Sequence, residues 1–167
     1  KDYYFFFTKH LLFTFAALII MILISIIKTE FIIKYTLHIF IISFILLALV
    51  PIIGVEVKGA KRWLDLYFFR LQPIEILKPL FILLTVKILT FEKLKEKQIK
   101  YILSFIILSS VIILLIDQPD LGQSILLIGS WVATVFISGV SLIYIFFFFF
   151  LFFVSLGSIL FFLPEKF

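Results

Sequence analysis

The stretch Arg70–Pro79, RLQPIEILKP, places Glu75 and Lys78 three residues apart at the head of an apolar run. Helical side chains at that spacing share a face, so the carboxylate and the ammonium can pair with each other or line a polar hollow that takes an anionic group. Pro73 suits the first turn of a helix, where its missing N–H has no helical acceptor. Glu75 then falls near the third helical position, where a carboxylate complements the positive end of the helix dipole. Lys78 lies a turn deeper. The dipole opposes it there, and inserting a central lysine into a membrane costs about 2.5–3.5 kcal/mol. Its long stem can carry the charge back to the interface. Structural pair and anion-binding cavity both turn this face into a bundle.

Two further clusters carry polar chemistry. In DQPDLGQ, Asp117–Gln123, Asp120 precedes an apolar run and can cap the helix that follows; a capping carboxylate at a cavity rim can also meet a ligand. In GAKRWLDL, Lys61, Arg62 and Trp63 stand side by side. They fit an interfacial belt of tryptophan and cations among headgroups, and they also fit a site for a phosphorylated lipid, with arginine forked onto phosphate oxygens and tryptophan stacked on sugar or isoprenoid. His10 and His38 are isolated, which favours hydrogen-bonded structural roles over metal ligation. Lys87 lies near the far end of its helix, where a cation is favoured. Gly139 and Ser141 read as a turn. No phosphate-cradling glycine loop, nucleophile elbow or HExxH is present.

These residues are carried by a chain that is 64% apolar and only 15% charged, an integral membrane composition. Six apolar runs are long enough to cross a hydrocarbon core of roughly 30 Å as helices. They are 11–27, 35–53, 73–90, 101–116, 121–137 and 142–163. The expected fold is therefore all-α, a polytopic transmembrane helix bundle forming one domain over residues 1–167. Strands of a membrane barrel would alternate polarity over about 10 residues, a pattern not found here. The longest connection, 54–72, is also the densest in polar and aromatic residues, and function is expected near it.

The net charge of +5 is scattered over short loops and makes no basic face, so nucleic acid is not an expected partner. Lysine and arginine divide almost evenly between alternate sides, and orientation does not follow from them; the compact EKLKEKQIK loop leans cytoplasmic. With no cysteine, disulfides, thiolate metal sites and cysteine nucleophiles are excluded. No cofactor is evident, and a divalent cation is left open. The chain begins with Lys1, and its first short apolar run does not make a signal peptide, so it reads as a fragment.

Three pieces stand in order: GVEVKGAKRWLDL, RLQPIEILKP and QPDLGQSILLIGSWVATVFISGVS. Together they resemble the SEDS family (shape, elongation, division and sporulation), the FtsW/RodA proteins of bacteria, whose runs are GA-x-RW, QPSE with a lysine three residues after the glutamate, and QPD-[LF]-G. The resemblance covers Gly54–Ser141 explicitly and implies the second to seventh of about ten helices. It places 54–72 and Asp117–Asp120 outside the cytoplasmic membrane. It implies a peptidoglycan glycosyltransferase that polymerises lipid II, releases undecaprenyl pyrophosphate and works beside a class B penicillin-binding protein. Arg62 and Lys78 would favour the diphosphate, Glu75 would hold Lys78, Trp63 would contact lipid or sugar, and Asp120 would shape the rim.

Ile74 stands where the family has a small residue, which bears on packing at the helix start. The family's proposed catalytic aspartate lies in a loop after the seventh helix, beyond Phe167. Residues 1–167 alone are therefore expected not to catalyse, and no catalytic residue is assigned within them. QPDLGQ with Trp131 and SGVS leans toward the division branch, while RWLDL suits the elongation branch equally. A transporter (flippase) of lipid-linked precursors would use the same cavity for passage, and a non-catalytic interaction subunit of the cell-wall machinery is a third reading.

Overall fold

An unbroken apolar run in a membrane finds no water to bond its backbone, so it satisfies its own N–H and C=O groups as helix. The computed structural model describes residues 3–57, 59–67, 69–92 and 94–141, with Ile143, Phe146, Phe147, Phe150 and Val154 beyond them. The elements are helices α1 (Tyr3–Ile26) and α2 (Thr29–Ile53), strands β1 (Val55–Val57), β2 (Ala60–Asp65) and β3 (Arg70–Leu71), then helices α3 (Pro73–Leu89), α4 (Lys97–Asp117) and α5 (Leu121–Ile137). Among the described residues, three helical stretches, Phe6–Ile26, Thr29–Ile53 and Lys97–Asp117, are long and apolar enough to cross a membrane. At 17 residues each, α3 and α5 reach roughly 25 Å, a little short of the hydrocarbon thickness. The sixth expected span, 142–163, lies for the most part outside the described residues.

Helices α3 and α5 begin where the apolar runs do, at Pro73 and Leu121, and the other three begin earlier. Here α1 starts at Tyr3 instead of Leu11, α2 at Thr29 instead of Tyr35, and α4 at Lys97 instead of Tyr101. The added turns contain Lys9, Glu30, Lys34 and Lys100, side chains that an apolar pattern excludes but a helix end at an interface accepts. Lys100 donates from Nζ to the Leu89 carbonyl at 3.1 Å, closing the C-terminus of α3 with a cation where the dipole welcomes one.

Helices α2 to α5 pack together, with α2 lying most extensively along α3. Leu47, Leu77, Phe81, Val111 and Leu115 are completely buried between them. The interfaces also bury small polar residues, Thr36, Ser43, Thr85, Ser104 and Ser124, which let backbones approach and hydrogen-bond within or across helices. Trp131 anchors the α4–α5 seam: its Nε1–H donates to Ser104 Oγ at 3.1 Å, and its ring meets Phe105 edge-on at 5.6 Å. Outward faces carry exposed Ile, Leu and Phe throughout, and none of the described side chains of α1 is buried. Apolar surface of that extent belongs against hydrocarbon.

The connection 54–72, expected as a loop, holds a three-stranded antiparallel meander in the order β1-β2-β3. Residues 61–64, KRWL, are long or bulky and suit a pleated surface, but the segment is too short to read as strand from periodicity. Gly54 makes the transition from α2. A Cβ there would press into the Val50 carbonyl oxygen, which accepts the Gly54 N–H at 2.8 Å. The β2–β3 turn is closed by Asp65, which accepts from the Tyr67 N–H at 3.0 Å and faces Arg70 at 3.8 Å.

Candidate functional site

The N-terminal ends of α3 and α5 meet at the meander side of the bundle, and each brings polar residues on its first turns. Gln72 occupies the N-cap of α3 and Pro73 the first helical position, so Glu75 falls at the third and Lys78 one turn further. On α5, Asp120 is the N-cap, its carboxylate accepting from the Gln123 N–H at 3.5 Å. A glutamine three residues after a capping residue ordinarily reaches back to the cap's own N–H. Here Asp120 N–H instead bonds the Leu115 carbonyl at 2.9 Å, and the Gln123 side chain is released toward α3.

Gln123 joins the two helices. Lys78 Nζ donates to Gln123 Oε1 at 2.8 Å, Gln123 Nε2 donates to Glu75 Oε1 at 2.9 Å, and Lys78 Nζ meets Glu75 Oε2 at 2.8 Å. The three side chains close a ring of hydrogen bonds in which the amide gives to the anion and accepts from the cation. Its orientation is thereby fixed by charge. The Lys78 side chain is mostly buried and that of Glu75 half exposed, so the ring sits between the interior of the bundle and its exposed edge. The pair expected at that spacing forms, and it takes a third member from a helix 45 residues away.

Arg62 reaches the same corner from β2. Its Nε donates to the Gln118 carbonyl at 3.3 Å, its Nη2 donates to the Pro119 carbonyl, and Nε lies 3.7 Å from Asp120 Oδ2. Asp120, only 7% exposed, therefore touches both halves of the site: Arg62 on one side and the first turn of α5, with Gln123, on the other. Arg62, Asp120, Gln123, Lys78 and Glu75 form one contiguous network. Its formal charges cancel, yet hydrogen-bonding capacity remains. Lys78 uses two of its three N–H groups in the contacts described and Arg62 two of five. The positive ends of the α3 and α5 dipoles add to the field at this corner.

Trp63 pairs across the hairpin with Val55 while Glu56 pairs with Lys61, so the β1–β2 register shifts at Arg62 and leaves it as the extra residue beside Trp63. An open cavity of about 450 Å³ lies beside the corner, lined by Pro51, Glu56, Lys61, Asp117 and Pro119 among others, and none of the five candidate residues lines it.

Gln118 and Gln123 were not singled out as site residues. The signal available was the spacing Asp120–Gln123, a capping-box pattern, and the position of Gln118 beside a turn; neither says which distant partner an amide will find. Lys87 donates to the Ile33 carbonyl at 3.0 Å, tying the end of α3 to α2. Of the histidines, His38 packs its ring 6.1 Å from Tyr35, and His10 is exposed on α1. No group of three or more potential metal ligands occurs among the described residues.

The family model for cell cycle proteins of the FtsW/RodA/SpoVE type matches residues 1–166. A probable peptidoglycan glycosyltransferase FtsW of Aliivibrio salmonicida is 33% identical over 139 residues, 82% of this chain and 35% of that protein. The protein of the same name from Wigglesworthia glossinidia brevipalpis is 34% identical over 144 residues, 85% of this chain and 38% of its own length. Among solved structures, a chain from work on the structural coordination of polymerization and crosslinking by a peptidoglycan synthase complex superposes with a TM-score of 0.76 at 25% identity, over 89% of this chain and 44% of that one. The rod shape determining protein RodA of Thermus thermophilus superposes with a TM-score of 0.66 at 28% identity, over 74% of this chain and 41% of RodA. The chain thus spans little more than a third of the length of these curated relatives. Its apolar helices are those of a membrane protein with a RodA-like fold. Matched over nearly its whole length, the chain belongs to the FtsW/RodA/SpoVE family of cell cycle proteins.

Proposed function

We propose that residues 1–167 form part of a peptidoglycan glycosyltransferase of the bacterial inner membrane, and that the Arg62–Asp120–Gln123–Lys78–Glu75 network receives the diphosphate of lipid II. The observation that carries this reading is the closed Glu75–Lys78–Gln123 ring, joined through Asp120 to Arg62 at two helix N-termini. Polymerisation forms a glycosidic bond to an acceptor hydroxyl and breaks the bond from the anomeric carbon to the diphosphate. Negative charge grows on the departing undecaprenyl pyrophosphate. Cations fixed beforehand stabilise that charge most, because they need not reorganise as it develops.

In this reading Glu75 and Gln123 hold the Lys78 ammonium in place and its remaining N–H faces the phosphate. Arg62 presents the unused edge of its guanidinium, and Asp120 keeps Arg62 turned toward α5. The acceptor's base lies in the acidic loop that the family resemblance places after the seventh helix. The meander faces outward, α3 and α5 cross with the chain's other helices to make six spans, and a class B penicillin-binding protein sits alongside. The names of the curated relatives favour the division branch and the RodA likeness the elongation branch.

The test uses the full-length protein with its transpeptidase partner and fluorescent lipid II. Polymer on a gel, lost in Lys78→Ala with the melting temperature kept, supports the proposal. Movement of lipid II across vesicles without polymer would overturn it in favour of transport.

A further inference from the structure

Pro51 lies inside α2, two residues before its end, and has no N–H to give the Leu47 carbonyl four residues back. Leu47 is completely buried, so no water can reach that oxygen and an unfilled acceptor there carries its full desolvation penalty. The gap is filled from 71 residues away: Gln118 Nε2 donates to Leu47 O at 3.0 Å, with Gln118 itself 3% exposed.

The same residue works in the opposite direction through its backbone. The Gln118 carbonyl accepts from Arg62 Nε, and the next carbonyl, that of Pro119, accepts from Arg62 Nη2. Two successive carbonyls of one turn thus hold two nitrogens of one guanidinium. Fixing the Gln118 amide to α2 restrains the turn that carries them, and Asp120, which faces Arg62 Nε at 3.7 Å, follows directly in the chain. Helix α2, the α4–α5 turn and the guanidinium are linked through a single buried amide.

We propose that Gln118 is a positioning residue: its side chain plugs the acceptor left open by Pro51 and so fixes the carbonyl pair that aims Arg62 into the site. The kinetic part of this inference rests on the proposed diphosphate role of Arg62; the latch itself does not.

The experiment uses the full-length protein in detergent micelles with arginine-selective 15N labelling, the Arg62 Nε–H resonance being assigned by its loss in Arg62→Lys. In the wild type that proton is expected to exchange slowly, being held by the Gln118 carbonyl. In Gln118→Leu it is expected to exchange rapidly, and KM for lipid II to rise about tenfold with kcat changed far less. In an Arg62→Ala background, Gln118→Leu should leave KM unmoved. A protected Nε–H in Gln118→Leu overturns the latch. A lost resonance with unchanged KM keeps the latch and overturns the diphosphate reading. Should Gln118→Leu fail to fold, Pro51→Ala decides: by restoring a main-chain donor to Leu47 O it should rescue folding of Gln118→Leu, and absence of rescue overturns the proposal.

Discussion

Gln123 and Lys78 meet across the α3–α5 boundary, the amide oxygen 2.8 Å from the ammonium, and the same amide's nitrogen turns to Glu75 at 2.9 Å. One neutral side chain thereby orients an ion pair that spacing alone would leave to solvent. Leucine at position 123 removes both bonds without changing the charge. Bonds to charged groups contribute about 1.5–3 kcal/mol each when buried and less at a half-exposed edge, so a stability loss of roughly 1–2 kcal/mol is expected by chemical melting. Polymerisation by the full-length protein should fall at least as far as this loosening implies, about tenfold or more. Unchanged polymerisation in Gln123→Leu would show that the ring is structural only.

Asp120 has two separable roles, as helix cap and as partner of Arg62. Asparagine caps as well as aspartate but bears no charge. Asp120→Asn should therefore leave stability within about 0.5 kcal/mol while lowering activity. Asp120→Ala should lose both, with a stability cost of roughly 0.5–2 kcal/mol. Equal activity losses with equal stability losses in the two variants would contradict this separation.

The two glycines flanking β1 are constrained for different reasons. At Gly54 a methyl group collides with main-chain oxygen, whereas at Gly59 there is open space but φ is +81°. Gly59→Ala should cost about 1 kcal/mol, the usual left-handed penalty. Gly54→Ala must shift backbone at the α2 exit and should cost about 2 kcal/mol or more. Comparing the two midpoints of thermal unfolding checks the order.

The buried Trp131–Ser104 hydrogen bond offers a measurement of packing between α4 and α5. Ser104→Ala leaves an indole N–H without its acceptor, and Trp131→Phe removes the donor. A double-mutant cycle should give a coupling of about 0.6 kcal/mol, the average for polar contacts between membrane helices, and no more than roughly 1.7 kcal/mol. Additive effects would place the bond among those that contribute nothing net.

Much of the site could be read from local chemistry. Pro73 at the first helical position fixed where Glu75 and Lys78 fall on α3, and Asp120 before an apolar run announced the cap of α5. Those are effects of one turn of chain, and one turn is visible in sequence. The starts of α1, α2 and α4 were less legible, because hydropathy drops where charged side chains reach the interface although the helix continues. The meander escaped notice because its strands, two to six residues long, are too short for alternation to show.

What the sequence determined by itself is the membrane class, the helices and the faces on which the polar residues lie, since apolar run length and helical period dictate these without reference to the rest of the chain. The tertiary structure decided which polar groups meet. Gln123 closes the Glu75–Lys78 pair, Gln118 fills the acceptor that Pro51 leaves open, and Arg62 turns to carbonyls of the α4–α5 turn. An amide can satisfy a donor or an acceptor equally well in many places, so its partner is selected only when packing brings distant backbones to within 3 Å and excludes the water that would otherwise serve.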